Sequence, residues 1–158
     1  PDTGIKAIDN VSFHIPAGQT MAIIGRTGSG KSTLANLLMR MFDVDEGEIL
    51  YDNHNIKDFN LESLREQIGF VPQQVFLFSD TIARNIAFGL DAVDTQRVEQ
   101  AAKDAVVYDN ILGFDEGFET HIGERGITLS GGQKQRVSIA RALVKDPKIL
   151  MFDDCLSE

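Results

Sequence analysis

The sequence has no tryptophan, only four prolines and a single cysteine, Cys155, among its 158 residues. One cysteine excludes an internal disulfide and a thiolate metal cluster, which is typical of a reducing compartment. No apolar run approaches the roughly 18 residues that a membrane-spanning helix requires. Residues 1–10 also lack the charged and apolar regions of a signal peptide. These absences predict a soluble chain.

Basic residues are in the minority, since 15 Lys and Arg stand against 24 Asp and Glu for a formal net charge of -9. The summed field repels a phosphate backbone except where local groups reverse it, which disfavours nonspecific nucleic-acid binding. The composition is 42% hydrophobic and 25% charged. Such a balance is typical of one globular domain with a sizeable core.

Short apolar runs and helical spacings alternate along the chain. Strands are predicted at residues 21–24, 68–71 and 149–152. Helices are predicted where apolar residues recur at helical spacing, namely at Leu34, Leu37, Leu38 and Met41, at Val98, Ala101, Ala102 and Ala105, and at Val137, Ala140 and Val144. The pattern predicts an α/β fold built around a mainly parallel core sheet.

A glycine-rich segment at residues 25–32 fits G-x-x-x-x-G-K-[ST] between a predicted strand and a predicted helix. Its backbone N–H groups and the positive end of the helix favour an anion such as phosphate. Lys31 would reach the β- and γ-phosphates, and the Ser32 hydroxyl would ligate Mg²⁺. The alternative is a turn that only joins strand and helix. The candidate nucleotide-binding residues are Gly25, Arg26, Thr27, Gly28, Ser29, Gly30, Lys31, Ser32 and Thr33.

Two adjacent carboxylates follow the apolar run at residues 149–152. Asp153 would emerge at the carboxyl edge of a parallel sheet, which makes it a candidate Mg²⁺ ligand. An ordinary solvated aspartate at a strand end is the alternative. Asp154 could polarise an attacking water as a catalytic residue, or could be a second surface carboxylate.

Residues 129–133, Leu-Ser-Gly-Gly-Gln, followed by Lys134, Gln135 and Arg136, closely resemble the signature motif of ABC ATPases. The resemblance implies that Ser130, Gly131, Gly132 and Gln133 contact the γ-phosphate of ATP bound to the glycine loop of a second domain, in a head-to-tail dimer. It also implies the fold of a P-loop NTPase with an N-terminal β portion and a helical, signature-bearing subdomain at about residues 74–144. On local chemistry alone, Ser130 could simply cap a helix.

Two further segments resemble parts of ABC exporters. Residues 71–73 resemble the Q-loop, in which Gln73 would contact Mg²⁺ or the attacking water and the neighbouring segment would meet coupling helices of a transmembrane domain. Residues 123–126 resemble the exporter X-loop, in which Glu124 would touch those helices. A solvated amide and a surface charge pair are the respective alternatives. Residues 76–79 and 81–82 are also similar to exporters, although their hydrophobic side chains could belong to an ordinary core.

The chain also departs from the family pattern. Family members usually carry Glu after the metal-binding Asp, whereas Asp154 here resembles the degenerate half of some heterodimeric bacterial exporters. The upstream aromatic residue, most of the D-loop and the switch histidine of the family would fall outside residues 1–158, so we expect an incomplete ABC ATP-binding domain. The three histidines, His14, His54 and His121, do not match the switch position and are interpreted as surface or packing residues.

The resulting expectation is an ABC-type ATPase that uses ATP and Mg²⁺, pairs with a second such domain, and powers export from the cytoplasmic face of a cell membrane. By itself, the 158-residue chain is expected to show negligible ATPase activity. One alternative is a degenerate half that holds ATP and regulates a competent partner. Another is a soluble ABC-type ATPase acting on DNA, which the charge, Gln133 and the X-loop-like segment disfavour.

Overall fold

The computed structural model describes residues 7–123 and 127–153. The chain divides into two compact units, one up to residue 61 and one from residue 62 onward. The first contains α1 (Lys31–Leu38), β1 (Leu50–Tyr51), β2 (His54–Asn55) and a 3-10 turn (Ile56–Asp58). From α2 (Leu61–Glu66), which begins at the boundary, the chain continues through β3 (Ile68–Val71), α3 (Ile82–Ile86), α4 (Thr95–Asp104), α5 (Tyr108–Leu112), a second 3-10 turn (Gly117–Glu119), α6 (Gly131–Leu143) and β4 (Ile149–Phe152).

Helix α1 follows the glycine loop, as the apolar spacing predicts, but it is shorter than expected. The helix ends at Leu38, and Arg40 adopts a left-handed backbone with φ of 51°. A left-handed residue terminates a helix because the following N–H groups turn back to the last carbonyls. Met41 therefore lies beyond the helix and is 53% exposed, so its predicted place on the apolar helix face is wrong.

Side chains tie the end of α1 to the hairpin that follows. The Arg40 guanidinium donates to the carbonyl oxygens of Ile56 at 3.1 Å and Phe59 at 3.0 Å. The Tyr51 hydroxyl donates to the Leu38 carbonyl at 2.6 Å, and burial raises the pKa of Tyr51 to about 12. Strands β1 and β2 pair antiparallel. These contacts fix the carboxyl end of α1.

The structure assigns no strand to residues 21–24, so the strand predicted there is wrong. A strand needs a neighbour for its backbone N–H and C=O groups, and no described residue pairs with this stretch. Its apolar side chains are exposed, including Ile24 at 94%. In the described residues of the first unit, β structure is confined to the hairpin of β1 and β2.

The predicted strands at residues 68–71 and 149–152 are confirmed as β3 and β4. They pair in parallel, with Ile68 opposite Ile149 and Val71 opposite Phe152. Both carboxyl ends therefore lie at the same edge. Within the described residues this is the only pair of parallel strands, and a wider, mainly parallel core sheet stays a prediction.

Helices α3 to α6 enclose the main hydrophobic core. Asp94 is the N-cap of helix α4, and its carboxylate accepts a hydrogen bond from the Arg97 N–H at 3.2 Å. Its inner face carries Val98, Ala101 and Ala102, all buried as the spacing predicts. Helix α6 packs against α3, α4 and β3 and so connects the helices with the parallel strands. The boundaries of a helical subdomain at about 74–144 stay a prediction.

Candidate functional site

The glycine loop is folded around the amino group of Lys31. Lys31 Nζ donates to the carbonyl oxygens of Gly25 at 2.9 Å and Arg26 at 3.1 Å, which brings a positive charge to the inside of the loop. A turn closes between Ser29 N–H and the Arg26 carbonyl at 3.1 Å. Gly28 and Gly30 have φ of 79° and 92°, a left-handed conformation that favours glycine.

Two glycines of the loop have close neighbours where a side chain would begin. A Cβ on Gly25 would collide with Ser29 Oγ, a hydroxyl that can rotate away. A Cβ on Gly30 would lie 2.5 Å from the carbonyl oxygen of Ala7, a backbone atom that cannot turn aside. The close approach of the Ala7 backbone therefore requires glycine at position 30.

The residues present fit a phosphate group. Helix α1 starts at Lys31, and its N-cap, Gly30, provides no side-chain hydrogen bond to the first turn. The first N–H groups of a helix lack partners within the helix and carry its positive dipole, so an uncapped start favours an anion. The exposed Ser32 and Thr33 hydroxyls lie in that first turn. Charge, donors and hydroxyl groups are thus combined in one short segment.

Gln73 and Asp153 follow neighbouring parallel strands at their common carboxyl edge. The Asp153 N–H donates to the Val71 carbonyl at 3.0 Å, which extends the ladder by one residue. Asp153 is half-buried and Gln73 is exposed. Carboxylate and amide oxygens are hard ligands suited to Mg²⁺, which usually takes one or two carboxylates together with substrate phosphates. Among the described residues, no three His, Cys, Asp or Glu side chains form a metal-binding group.

The signature-like segment begins helix α6 with a capping box. Ser130 Oγ accepts from the Gln133 N–H at 3.2 Å, and Gln133 Oε1 accepts from the Ser130 N–H at 2.9 Å. Ser130 is thus an N-cap, the local role left open by the sequence. A Cβ on Gly131 or Gly132 would meet nothing within 4 Å. The start of this 13-residue helix is therefore open to approach by another molecule.

Two predicted functional residues, Asp154 and Glu124, lie outside the described residues. The segments beside Glu124 are described, and they run next to the segment that follows Gln73. Thr81 and His121 form an antiparallel bridge, and the Ile122 N–H donates to the Asp80 carbonyl at 3.1 Å. A cavity of about 400 Å³ lies between the two segments, lined among others by Phe76, Leu77, Ile122, Leu129 and Lys134.

Sequence reasoning missed a polar cluster formed by Arg141 of α6 and Asn85 of α3. Arg141 donates from Nε to the Asn85 carbonyl at 2.7 Å and from Nη2 to Asn85 Oδ1 at 2.8 Å. Burial lowers the pKa of the Arg141 guanidinium below its ordinary value. A signal was present, because Asn85 stands between Ile82 and Ile86 on an apolar helix face. A polar side chain buried there needs partners.

No helix in the described part of the chain is both long and apolar enough to cross a membrane.

Comparison with known proteins agrees with the motifs. The sequence profile of the ABC transporter family matches residues 8–157. The ATP-dependent lipid A-core flippases of Escherichia coli K12 and Shigella flexneri are each 48% identical over 158 residues, which cover 99% of this chain but 27% of the relative. A solved structure of a bacterial Atm1-family ABC exporter with ATP bound is 50% identical and superposes with a TM-score of 0.77, covering 82% of this chain and 23% of that one.

The chain thus spans about a quarter of the length of the curated relatives that it matches. The profile covers nearly all of it, including the glycine loop, Gln73, the signature-like segment and Asp153. These matches confirm the resemblance to ABC exporters and the ABC-type ATPase class that the motifs indicate. The chain belongs to the ABC transporter family.

Proposed function

We propose that this chain binds Mg-ATP and hydrolyses it when paired with a second ABC ATP-binding domain, and that the hydrolysis powers export of a substrate by an attached transmembrane domain. The observation that carries the proposal is the glycine loop, in which Lys31 Nζ lies against the carbonyls of Gly25 and Arg26 beside an uncapped helix start. Such a loop is suited to hold a chain of phosphates.

Each candidate residue has a chemical role in this proposal. Lys31 offsets phosphate charge, and the loop N–H groups orient the phosphates. Ser32, Gln73 and Asp153 supply oxygen ligands that would hold Mg²⁺, which when bound offsets the charge that develops on the phosphates. Gln73, or Asp154 next to Asp153, orients the attacking water.

The open start of helix α6 supports a head-to-tail dimer. Ser130, Gly131 and Gly132 are exposed, and the first N–H groups of a long helix attract an anion. In the proposed dimer this start, together with Gln133, completes the nucleotide site on the partner's glycine loop. Each composite site then needs residues from both chains, so we expect a single domain to be inactive.

The cavity between the segments after Gln73 and before Ser130 supports a contact with the transmembrane domain. Its walls include apolar side chains such as Phe76 and Ile122. Gly123 also lines the cavity, and Glu124 is the next residue in the sequence. An apolar cleft with Lys134 in its lining suits a short amphipathic coupling helix. A domain that contacts the transmembrane domain in this way would lie at the cytoplasmic face of the cell membrane.

The test of the head-to-tail site uses mixed dimers of the full-length protein in which one chain carries Lys31→Ala and the other Ser130→Arg. Both changes then fall at one composite site, and the other site keeps a parental loop and a parental signature. We expect the mixed dimer to trap one ATP per dimer, and dimers carrying either change in both chains to trap none. Thr95→Arg, an exposed hydroxyl residue in the first turn of α4, is the control for Ser130→Arg. A mixed dimer that traps no ATP would contradict the arrangement.

A second candidate function is a degenerate half whose own site turns ATP over slowly and whose signature completes a faster site on a different partner. The observation that favours it is Asp154, where family members usually carry Glu. In that case, natural function requires a heterodimer, and most hydrolysis occurs on the glycine loop of the partner.

A further inference from the structure

We propose that Arg141 is a positioning residue that holds Gln73 in register with Ser130, by fixing the segment after Gln73 to the helix that Ser130 begins. The inference rests on the proposed function, because it assumes that Gln73 and Ser130 serve ATP hydrolysis. The three hydrogen bonds of Arg141 go to Phe76 and Asn85, so it acts through the backbone of the segment between Gln73 and helix α3.

Arg141 makes three hydrogen bonds that reach across 56 to 65 positions of sequence. Nη1 donates to the carbonyl oxygen of Phe76 at 2.9 Å, while Nε and Nη2 donate to the backbone and side-chain oxygens of Asn85. The planar guanidinium presents these donors in a fixed fork, so the three acceptors are held in one geometry. Lysine keeps the charge but has no such fork.

Asn85 extends this geometry to the rest of the segment. The Asn85 side chain is 1% exposed, and its Oδ1 accepts from the Phe78 N–H at 2.8 Å. Its Nδ2 donates to the carbonyls of Phe78 and Thr81, each at 3.0 Å. The oxygen and the nitrogen of the Asn85 amide therefore both have hydrogen-bond partners. A buried amide of this kind resists displacement, because each lost hydrogen bond leaves an unpaired polar group.

Two partly exposed aromatic rings, Phe78 and Phe88, also lie close to the guanidinium. The Arg141 Cζ lies 5.5 Å from the centroid of Phe78 and 5.7 Å from that of Phe88, and the two rings stack at 4.6 Å. A guanidinium next to ring faces gains a cation–π attraction that grows as water is excluded. This contact orients the Phe78 side chain as well as its backbone.

The segments on both sides of Gln73 are thereby attached to the same helix. Val71, two residues before Gln73, is fully buried against Ala142 and Ile139 of α6. Phe76, three residues after Gln73, is bonded to Arg141 of α6. Because Ser130 begins this helix, its position and that of Gln73 are set by one rigid element. The hydrogen bonds of Arg141 are the polar part of the attachment after Gln73, so a change at Arg141 can weaken it while Leu77 stays packed against the hydrophobic core.

The test compares Arg141→Lys with the parent in the full-length protein, using hydrogen exchange and ATPase kinetics. We expect amide exchange at residues 76–80 to rise by about tenfold. We also expect kcat to fall by about tenfold, because a displaced catalytic group loses rate steeply, while KM for ATP stays within about twofold. Exchange in helices α4 and α6 should stay at the parental rate.

Arg97→Lys is the matched control, because Arg97 also donates its guanidinium to a backbone carbonyl of the same unit, that of Val144 at 2.6 Å, without touching the segment after Gln73. It should keep the parental kcat. Unchanged exchange and kcat in Arg141→Lys would overturn the proposal. A rise in exchange spread evenly over α3 to α6 would also overturn it, because that pattern indicates general destabilisation.

A third variant, Lys31→Ala, separates this inference from the proposed function. If Lys31→Ala abolishes ATP binding while Arg141→Lys hydrolyses ATP with the parental kcat, only the positioning role fails. If Lys31→Ala hydrolyses ATP like the parent, the proposed function fails and the positioning role fails with it.

Discussion

At the scale of single residues, one methylene group separates Asp154 from the glutamate usual in the family. A shorter side chain holds its carboxylate farther from the water that it would polarise. Misplacing a catalytic group by about 1 Å can cost on the order of 100-fold in rate. We therefore expect Asp154 to decide between a competent site and a slow site on this chain.

We predict that Asp154→Asn leaves most of the ATPase activity of a complex reconstituted with its natural partner, if the chain is the degenerate half. Asp146→Asn is the control, because Asp146 is an exposed carboxylate with φ of 53°, a conformation that Asn tolerates. The measurement is the steady-state rate of phosphate release. Loss of nearly all hydrolysis in Asp154→Asn alone would identify Asp154 as the working base and favour two equivalent sites.

The residues of the loop were predictable and those of the Arg141 cluster were not, for a physical reason. The proposed phosphate contacts of the glycine loop come from consecutive groups of one segment, so they lie within residues 25–33. Arg141 and Asn85 are 56 positions apart and meet only after α3 and α6 pack. A local sequence pattern is therefore enough to predict the loop, whereas the Arg141 cluster depends on tertiary contacts.

At the scale of elements, the close approach of α6 to β3 depends on Gly69. A Cβ at this position would lie 2.8 Å from the Ala142 carbonyl oxygen and 2.9 Å from side-chain atoms of Leu150 and Pro147. A leucine side chain can turn aside, but a helix carbonyl cannot without moving the helix. Gly69 therefore sets the distance between α6, the signature helix that follows Ser130, and β3, the strand that leads to Gln73.

We predict that Gly69→Ala lowers the free energy of unfolding by about 1–3 kcal/mol, because overpacking forces the backbone to shift. Gly132→Ala provides a contrast, since it adds the same methyl group to α6 in open space. That change should leave stability unchanged or raise it by up to about 1 kcal/mol. Denaturant unfolding of both variants beside the parent measures the difference, and equal stability of Gly69→Ala and the parent would contradict the close approach.

Elements with regular apolar spacing were predicted well. Strands β3 and β4 and helices α1, α4 and α6 all follow from it, and β3, α4 and α6 contain buried residues. The same rule failed at residues 21–24, where the apolar run is exposed. It also failed at Met41, because the left-handed Arg40 ends the helix first. Apolar spacing indicates a face that can be buried. Whether the strand or helix forms depends on a neighbouring strand to pair with, or on where a residue such as Arg40 ends the helix.

At the scale of the whole molecule, the chain has the parts of the proposed nucleotide site, and the proposed function requires a second domain for hydrolysis. The glycine loop belongs to one compact unit, while Gln73, Asp153 and the signature helix belong to the other. The start of the signature helix is exposed, as the proposed contact with a second domain requires. In the proposed transporter, ATP binding is the property that this chain contributes by itself, and turnover belongs to the dimer.

The most direct test of this account is calorimetric titration of Mg-ATP into the parent chain, Lys31→Ala and Lys148→Ala, an exposed lysine outside the loop. The parent and Lys148→Ala should bind with the same affinity. Lys31→Ala should lose more than about tenfold in affinity, because a charge-assisted hydrogen bond to phosphate is lost, and should keep the parental circular dichroism spectrum. A folded Lys31→Ala that binds Mg-ATP as tightly as the parent would contradict the assignment of the loop.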